Sequence, residues 1–156
     1  MRKRKPKARP LAPDPRYGDP NVTRFVNNLL WQGKKGVGFD IFYNAMDLIQ
    51  ERAEQDPHGT WKKALENATP AVEVRSRRIG GATFQIPSEI NPKRKVSIGM
   101  KWIIRFARER SGKGMADKLA NELIAAAKGE GAAVRRKEET HRMAEANRAF
   151  AHFRMR

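Results

Sequence analysis

The residues of this chain best equipped to do chemistry are cations on an extended segment. From Pro70 to Lys95 the sequence reads Pro-Ala-Val-Glu-Val-Arg-Ser-Arg-Arg-Ile-Gly-Gly-Ala-Thr-Phe-Gln-Ile-Pro-Ser-Glu-Ile-Asn-Pro-Lys-Arg-Lys. Val72 to Ile79 is rich in β-branched residues and has no helical period. Gly80-Gly81 can take the two positive φ angles of a tight hairpin turn, and Ala82 to Pro87 returns as a second strand. With the glycines as the turn, Arg77 faces Phe84 and Arg75 faces Ile86. Val74, Ser76, Arg78, Thr83 and Gln85 share the other side. A ribbon with arginines on both faces is too costly to bury, so it should stand out as an arm and meet something negative. The alternative is a hairpin at the edge of a larger sheet.

Other chemistry is hard to assemble. His58, His141 and His152 are scattered, and none has a metal-binding partner three or four residues away. They read as surface or satisfied side chains. The carboxylates mostly sit beside lysines and arginines, as solvated pairs do. There is no cysteine, which removes disulfides, thiolate catalysis and cysteine zinc sites. No Gly-x-Ser-x-Gly elbow is present. Gly33-Lys34-Lys35-Gly36-Val37-Gly38 has the glycines of a phosphate cradle but lacks the Lys-Ser/Thr ending and a preceding strand, so nucleotide binding is not expected there. Its two lysines at a helix start are placed to meet a backbone phosphate. No catalytic residue, metal, cofactor or small-molecule substrate is expected.

The 156 residues carry a formal net charge of +16. That excess favours a polyanion, nucleic acid before an anionic membrane, because no amphipathic helix is spare for a lipid face. No apolar run approaches the roughly 18 residues of a membrane span, and the basic N-terminus lacks the apolar stretch of a signal peptide. A cytoplasmic location fits.

These cations need a scaffold. Residues 1–20 read as a basic, proline-rich tail, and 21–156 as one helical domain with the arm at 71–88. Arg2, Lys3, Arg4 and Lys5 lie in that tail among prolines that preclude a helix, with too few apolar groups to pack. Asp19-Pro20 caps a first helix with Val22, Phe25, Val26, Leu29 and Leu30 on its core face, ended by Gly33. A second helix spans Val37 to Glu54, with Phe39, Phe42, Tyr43, Met46 and Ile49 inward, stopped by Asp56-Pro57. A third covers Thr60 to Ala68. After the hairpin, Asn91-Pro92 caps a fourth helix that runs to Arg110. Val96, Met100, Ile103, Phe106 and Ala107 face in, with Trp102 and Ile104 flanking. Lys93, Arg94 and Lys95 occupy its first turn, where the helix dipole disfavours cations and an external anion would help. A fifth helix covers Met115 to Lys128. A sixth runs from Ala132 toward Ala149, with a patchy face of Val134, His141 and Met143 and possible pairs Arg135–Glu139 and Glu138–Arg142. Trp31, Trp61 and Trp102 lie in or beside apolar stripes and read as core. Phe150 and Phe153 suit either packing on the body or stacking on bases. The fold class is mainly α: about six helices forming a body with one protruding β-hairpin arm.

Val72-Glu-Val-Arg-Ser-Arg-Arg-Ile-Gly-Gly-Ala-Thr-Phe-Gln-Ile-Pro87, Gly33-Lys34-Lys35 and the segment from Lys137 to Arg154 resemble the family of bacterial small-subunit ribosomal proteins numbered seven. The resemblance runs from about Leu11 to the C-terminus. It implies a primary binder of small-subunit ribosomal RNA at the three-prime major domain, which nucleates assembly of the subunit head. It also implies a place near the decoding region and the exit-site transfer RNA, beside the small-subunit proteins numbered nine and eleven. Carried onto this chain, Arg75, Arg77 and Arg78 match the family's arm, Lys34 and Lys35 its basic loop, and Arg142 and Arg148 its C-terminal helix. The tip, Ile79, Gly80, Gly81 and Ala82, is the part nearest transfer RNA. The tail matches only in charge, and Gly36 and Gly38 sit where better helix formers are expected.

Three readings follow. A structural RNA-binding protein of the ribosome would neutralise phosphates at fixed spacing and recognise RNA by shape. A DNA-architectural protein would use the ribbon in a groove, although such proteins usually dimerise and no dimer face is evident. An RNA-modifying enzyme would need a cofactor pocket or nucleophile that cannot be named.

Overall fold

The computed structural model describes residues 9–54 and 56–153. Among them the elements run α1 (Pro20–Leu29), α2 (Lys35–Ala53), α3 (Pro57–Ala68), β1 (Val72–Ile79), β2 (Ala82–Glu89), α4 (Pro92–Glu109), α5 (Met115–Ala127) and α6 (Ala132–Ala146). A 3-10 turn, Arg148–Phe153, follows. The predicted mainly α body with a hairpin arm is what forms.

Three helices start with the same local device. Asp19, Asp56 and Asn91 each accept a backbone N–H of the first turn through the side chain, and Pro20, Pro57 and Pro92 occupy a position whose N–H would have no helical partner. Asp56-Pro57 therefore opens α3 rather than stopping α2, and α3 begins earlier than Thr60. The second helix ends by itself at Ala53, with Glu54 in the left-handed conformation at φ 50°. Likewise α1 ends at Leu29, before Gly33, because Leu30 is already extended.

The core is the sum of the predicted stripes. Phe25, Phe42 and Trp61 meet with ring centroids 5.6 to 5.9 Å apart, the two contacts with Trp61 being edge-on. Helix α5 packs against α2, α3, α4 and α6. Its Ala120, Ala126 and Ala127 are buried between larger residues, and their small side chains permit that close approach. Burying Leu119 and Leu123 there contributes about 2 kcal/mol each. Gly38, an apparent misfit in α2, lies against α1: a Cβ would meet Val26 Cγ1 at 3.1 Å. On α4, Ile104 is buried rather than flanking, while Val96 and Phe106 are only partly covered.

Packing also begins earlier than the proline-rich composition implies. Asp14 is buried and accepts from the backbone N–H groups of Arg16, Tyr17 and Asp19 and from the Tyr43 hydroxyl, at 2.9 to 3.1 Å. Burial alone would push its carboxyl up, but these hydrogen bonds outweigh it and hold the group below the ordinary aspartate value. Tyr17 stacks on His58, which stacks in turn on Trp61.

The hairpin has the predicted register, Arg77 opposite Phe84 and Arg75 opposite Ile86. Gly80 and Gly81 take φ values of 55° and 89° at its tip. Strand β2 continues past Pro87 to Glu89, with Val74 opposite the proline. A two-stranded ribbon tolerates the missing donor because each strand has an open edge. Among the described residues this ribbon is the whole sheet, so it is not the edge of a larger one. Its root is drier than expected: Ile86 is buried, Val72 and Val74 are half-buried, and both strands contact α6.

Helix α6 stops at Ala146, short of Ala149, and the chain tightens into the 3-10 turn. Its buried face is Ala133, Val134, Thr140 and Ala144, whereas Met143 is exposed. Glu139 pairs with Arg136 rather than Arg135, at 3.3 Å.

Candidate nucleic-acid interface

The arm carries its cations where the ribbon leaves the body. Arg75, Arg77 and Arg78 are exposed, as are Gly80, Gly81 and Ala82, while Ile79 is half-covered. Glu73, well shielded at the root, accepts from Arg75 Nε at 2.6 Å and from Arg94 Nη2 at 3.1 Å. This carboxylate ties the arm to the first turn of α4. It also supplies, from inside the chain, part of the anion that the cations of that turn call for. Lys93 and Arg94 are exposed, and Lys95 is half-covered.

Beyond that first turn, helix α4 carries a cationic face that sequence reasoning did not collect. Lys101, Arg105 and Arg108 follow Arg94 at helical spacing, opposite the buried Met100, Ile103, Ile104 and Ala107. The i, i+4, i+7 pattern from Lys101 was the available signal. Arg94 to Arg108 spans roughly 21 Å along the axis. At its far end Arg108 lies over the Trp31 ring, 4.7 Å from the centroid, and donates to the Leu29 carbonyl at 2.9 Å. Trp31 is thus not core; it is 69% exposed. Trp61 is buried as expected, and Trp102 is half-covered. Lys34 and Lys35 follow, both exposed, with Lys34 at the N-cap of α2 and Lys35 its first residue, Nζ 5.7 Å from the Phe39 ring.

A salt bridge from Glu73 to Arg94 thus joins the arm to one end of α4, and a cation–π contact joins the other end to the loop between α1 and α2. Arg142 and Arg148 sit apart from this track, on α6 and the 3-10 turn, both exposed. Arg148 lines a cleft at the root of the arm with Val72, Pro87 and Ser88. Phe150 packs against Phe84 of the arm, with centroids 5.1 Å apart. Arg2, Lys3, Arg4 and Lys5 lie outside the described residues.

The histidines are accounted for by local partners. His58 Nε2 is 3.3 Å from Asp19 Oδ2, His141 Nε2 accepts the Ala71 N–H, and His152 Nδ1 is 2.8 Å from the Ala149 carbonyl. Burial, and then the charge of Lys137, push the His141 imidazole below its ordinary value. Among the described residues no group of three or more His, Asp or Glu side chains is placed to hold a metal. Among the described residues no helix is long and apolar enough to cross a membrane.

The helical body thus displays cations along a ribbon, a helix face and a loop. The family model for Ribosomal protein S7p/S5e matches residues 1–148. The chain is 56% identical over 154 residues to small ribosomal subunit protein uS7 of Cytophaga hutchinsonii. It is 59% identical over 157 residues to the protein of that name from Flavobacterium johnsoniae, and 60% over 158 residues to that of Christiangramia forsetii. Each alignment covers 99% of both chains. The chain belongs to the S7p/S5e family of ribosomal proteins. It is a structural constituent of the small ribosomal subunit in the cytoplasm, not an enzyme.

Proposed function

We propose that this chain is a primary ribosomal-RNA-binding protein that holds the three-prime major domain of the small-subunit RNA and nucleates assembly of the subunit head. The observation that carries this reading is the cationic track from Arg75, Arg77 and Arg78 through Arg94, Lys101 and Arg105 to Lys34 and Lys35. Its parts are held at fixed spacing by a packed body. Phosphates on separate RNA helices that match this spacing release their counterions together, whereas a single duplex offers phosphates only along its own two backbones. Lys93, Lys95, Arg142 and Arg148 add contacts at the flanks, and the tail residues Arg2, Lys3, Arg4 and Lys5 add charge. The tip, Ile79 to Ala82, would lie near the decoding region and approach the exit-site transfer RNA. The neighbours would be the small-subunit proteins numbered nine and eleven. The expected division is a basic tail, 1–20, whose last residues from Asp14 onward already pack on the body, ahead of the helical domain, 21–156, that carries the arm.

The test is binding to a folded fragment of the three-prime major domain, to equal-length duplex DNA and to an unrelated folded RNA, across a salt series. The expected result is preference for the cognate fragment. The triple variant Arg75→Ala, Arg77→Ala, Arg78→Ala should weaken it, and its salt slope should be shallower by roughly one per lost phosphate contact. Equal affinity for all three ligands would overturn the reading and leave only undirected charge.

A further inference from the structure

Trp31 sits unusually for a large aromatic residue on a packed body. The residue is 69% exposed, and Val37, 53% exposed, lies in the same groove. The groove has a volume of about 370 Å³, is completed by apolar Leu30, Ile41 and Met115, and has Lys34 and Arg108 as its charged residues. Among the described residues no carboxylate lines it. The Arg108 guanidinium covers one face of the indole and is itself fixed by the Leu29 carbonyl, one of the helix-terminal acceptors without a partner inside α1. An indole so exposed, with one face already covered, presents its other face to solvent.

We infer that Trp31 and this groove receive a single unpaired nucleobase of the bound RNA, stacked on the open face of the indole, with its flanking phosphate on Lys34 or Lys35. Every base has a π face that stacks on an aromatic ring, and its backbone brings the negative charge that the two lysines lack. A protein side chain entering the groove would satisfy its apolar part and leave those lysines unmatched. The groove is also continuous with the α4 track through Arg108. The inference rests on the RNA-binding reading above and adds a site of contact to it.

The experiment uses the full chain and the folded cognate RNA fragment. Trp31→Ala should bind about tenfold more weakly with an unchanged salt slope, since a stack is lost and no charge is removed. Trp31→Phe should recover most of that loss. RNA should shield the exposed indole of the parent from acrylamide quenching, while Trp61, at 1% exposure, serves as the buried control. Parental affinity in Trp31→Ala, with no shielding in the parent, would overturn the inference while leaving ribosomal-RNA binding intact. If that variant also failed to enter a reconstituted subunit head, the groove would belong to a protein neighbour, which equally overturns it. Failure of the parent to prefer the cognate fragment would instead be a failure of the underlying reading.

Discussion

The backbone N–H of Ala71 donates to His141 Nε2 at 3.1 Å, so a helix of the body holds the root of the arm through a ring nitrogen that accepts only while unprotonated. Burial and Lys137 already depress that imidazole. A base with a depressed folded value stabilises fully above its unfolded value, about 6.5, and loses that contribution as pH falls through the folded value. Unfolding free energy measured in urea should therefore drop as pH is lowered from neutrality. In His141→Leu the decline over that window should be smaller, and the difference from the parent isolates this residue from His58 and His152.

Glu122 is the buried carboxylate that closes α4, α5 and α6 together. It is fully buried and accepts from Arg110 Nε at 2.6 Å and from the N–H of buried Ala133 at 3.0 Å. Glu122→Ala leaves that N–H without an acceptor and should cost about 3 kcal/mol. Glu122→Gln keeps an acceptor oxygen and should cost less. Chemical denaturation with an unchanged m-value would check both.

Two glycines should respond differently to the same added methyl group. At Gly99 a Cβ would meet Thr69 Oγ1 at 2.8 Å, and that hydroxyl is held by the Leu65 carbonyl at 2.6 Å. Gly99→Ala should force α3 and α4 apart at a cost of about 1–3 kcal/mol, read as a lower global midpoint. At Gly81 nothing lies within 4 Å, but φ is 89°. Gly81→Ala should loosen the hairpin by about 1 kcal/mol, visible in amide exchange of β1 and β2 and nearly absent from global unfolding.

Lys101 and Arg105 are exposed on the outer face of α4, and Arg105 has a solvent-exposed pair with Glu109. The double change Lys101→Ala, Arg105→Ala should alter stability by no more than about 0.5 kcal/mol. It should flatten the salt dependence of RNA binding by roughly two, one per phosphate contact. Filter binding across a salt series would measure it.

The parts legible in the sequence were those fixed by neighbours close along the chain. The hairpin register followed from Gly80-Gly81, and the caps at Asp19 and Asn91 from the cap-then-proline pair. Misreadings fell where distant segments decide. Trp31 follows an apolar stripe, yet the helix ends at Leu29, and the extended Leu30 takes the next side chain off that face. Gly38 is poor for an isolated helix and is tolerated here because Val26 lies against it. Asp14 gains its fourth hydrogen bond from Tyr43, far along the chain. The structure offers no comparable account of Gly36, which faces open space. At the interface, the arm's arginines stood out as a cluster. Lys101, Arg105 and Arg108 did not, because each is separated from the next by core residues and the face exists only once the helix is wound.

The arm's ties set a length. Ala71 is held by His141, Glu73 by Arg94, and Phe84 by Phe150. The outermost of these acts at the Arg77–Phe84 rung, leaving only Arg78–Thr83, Ile79–Ala82 and the two glycines beyond it. At about 3.3 Å per residue that overhang is roughly 7 Å of ribbon before the turn. A ribbon so short beyond its last support behaves as the fixed jaw of a caliper. The gap between its tip and the α4 face is a dimension of the protein, and a ligand bridging the two is gauged against that gap.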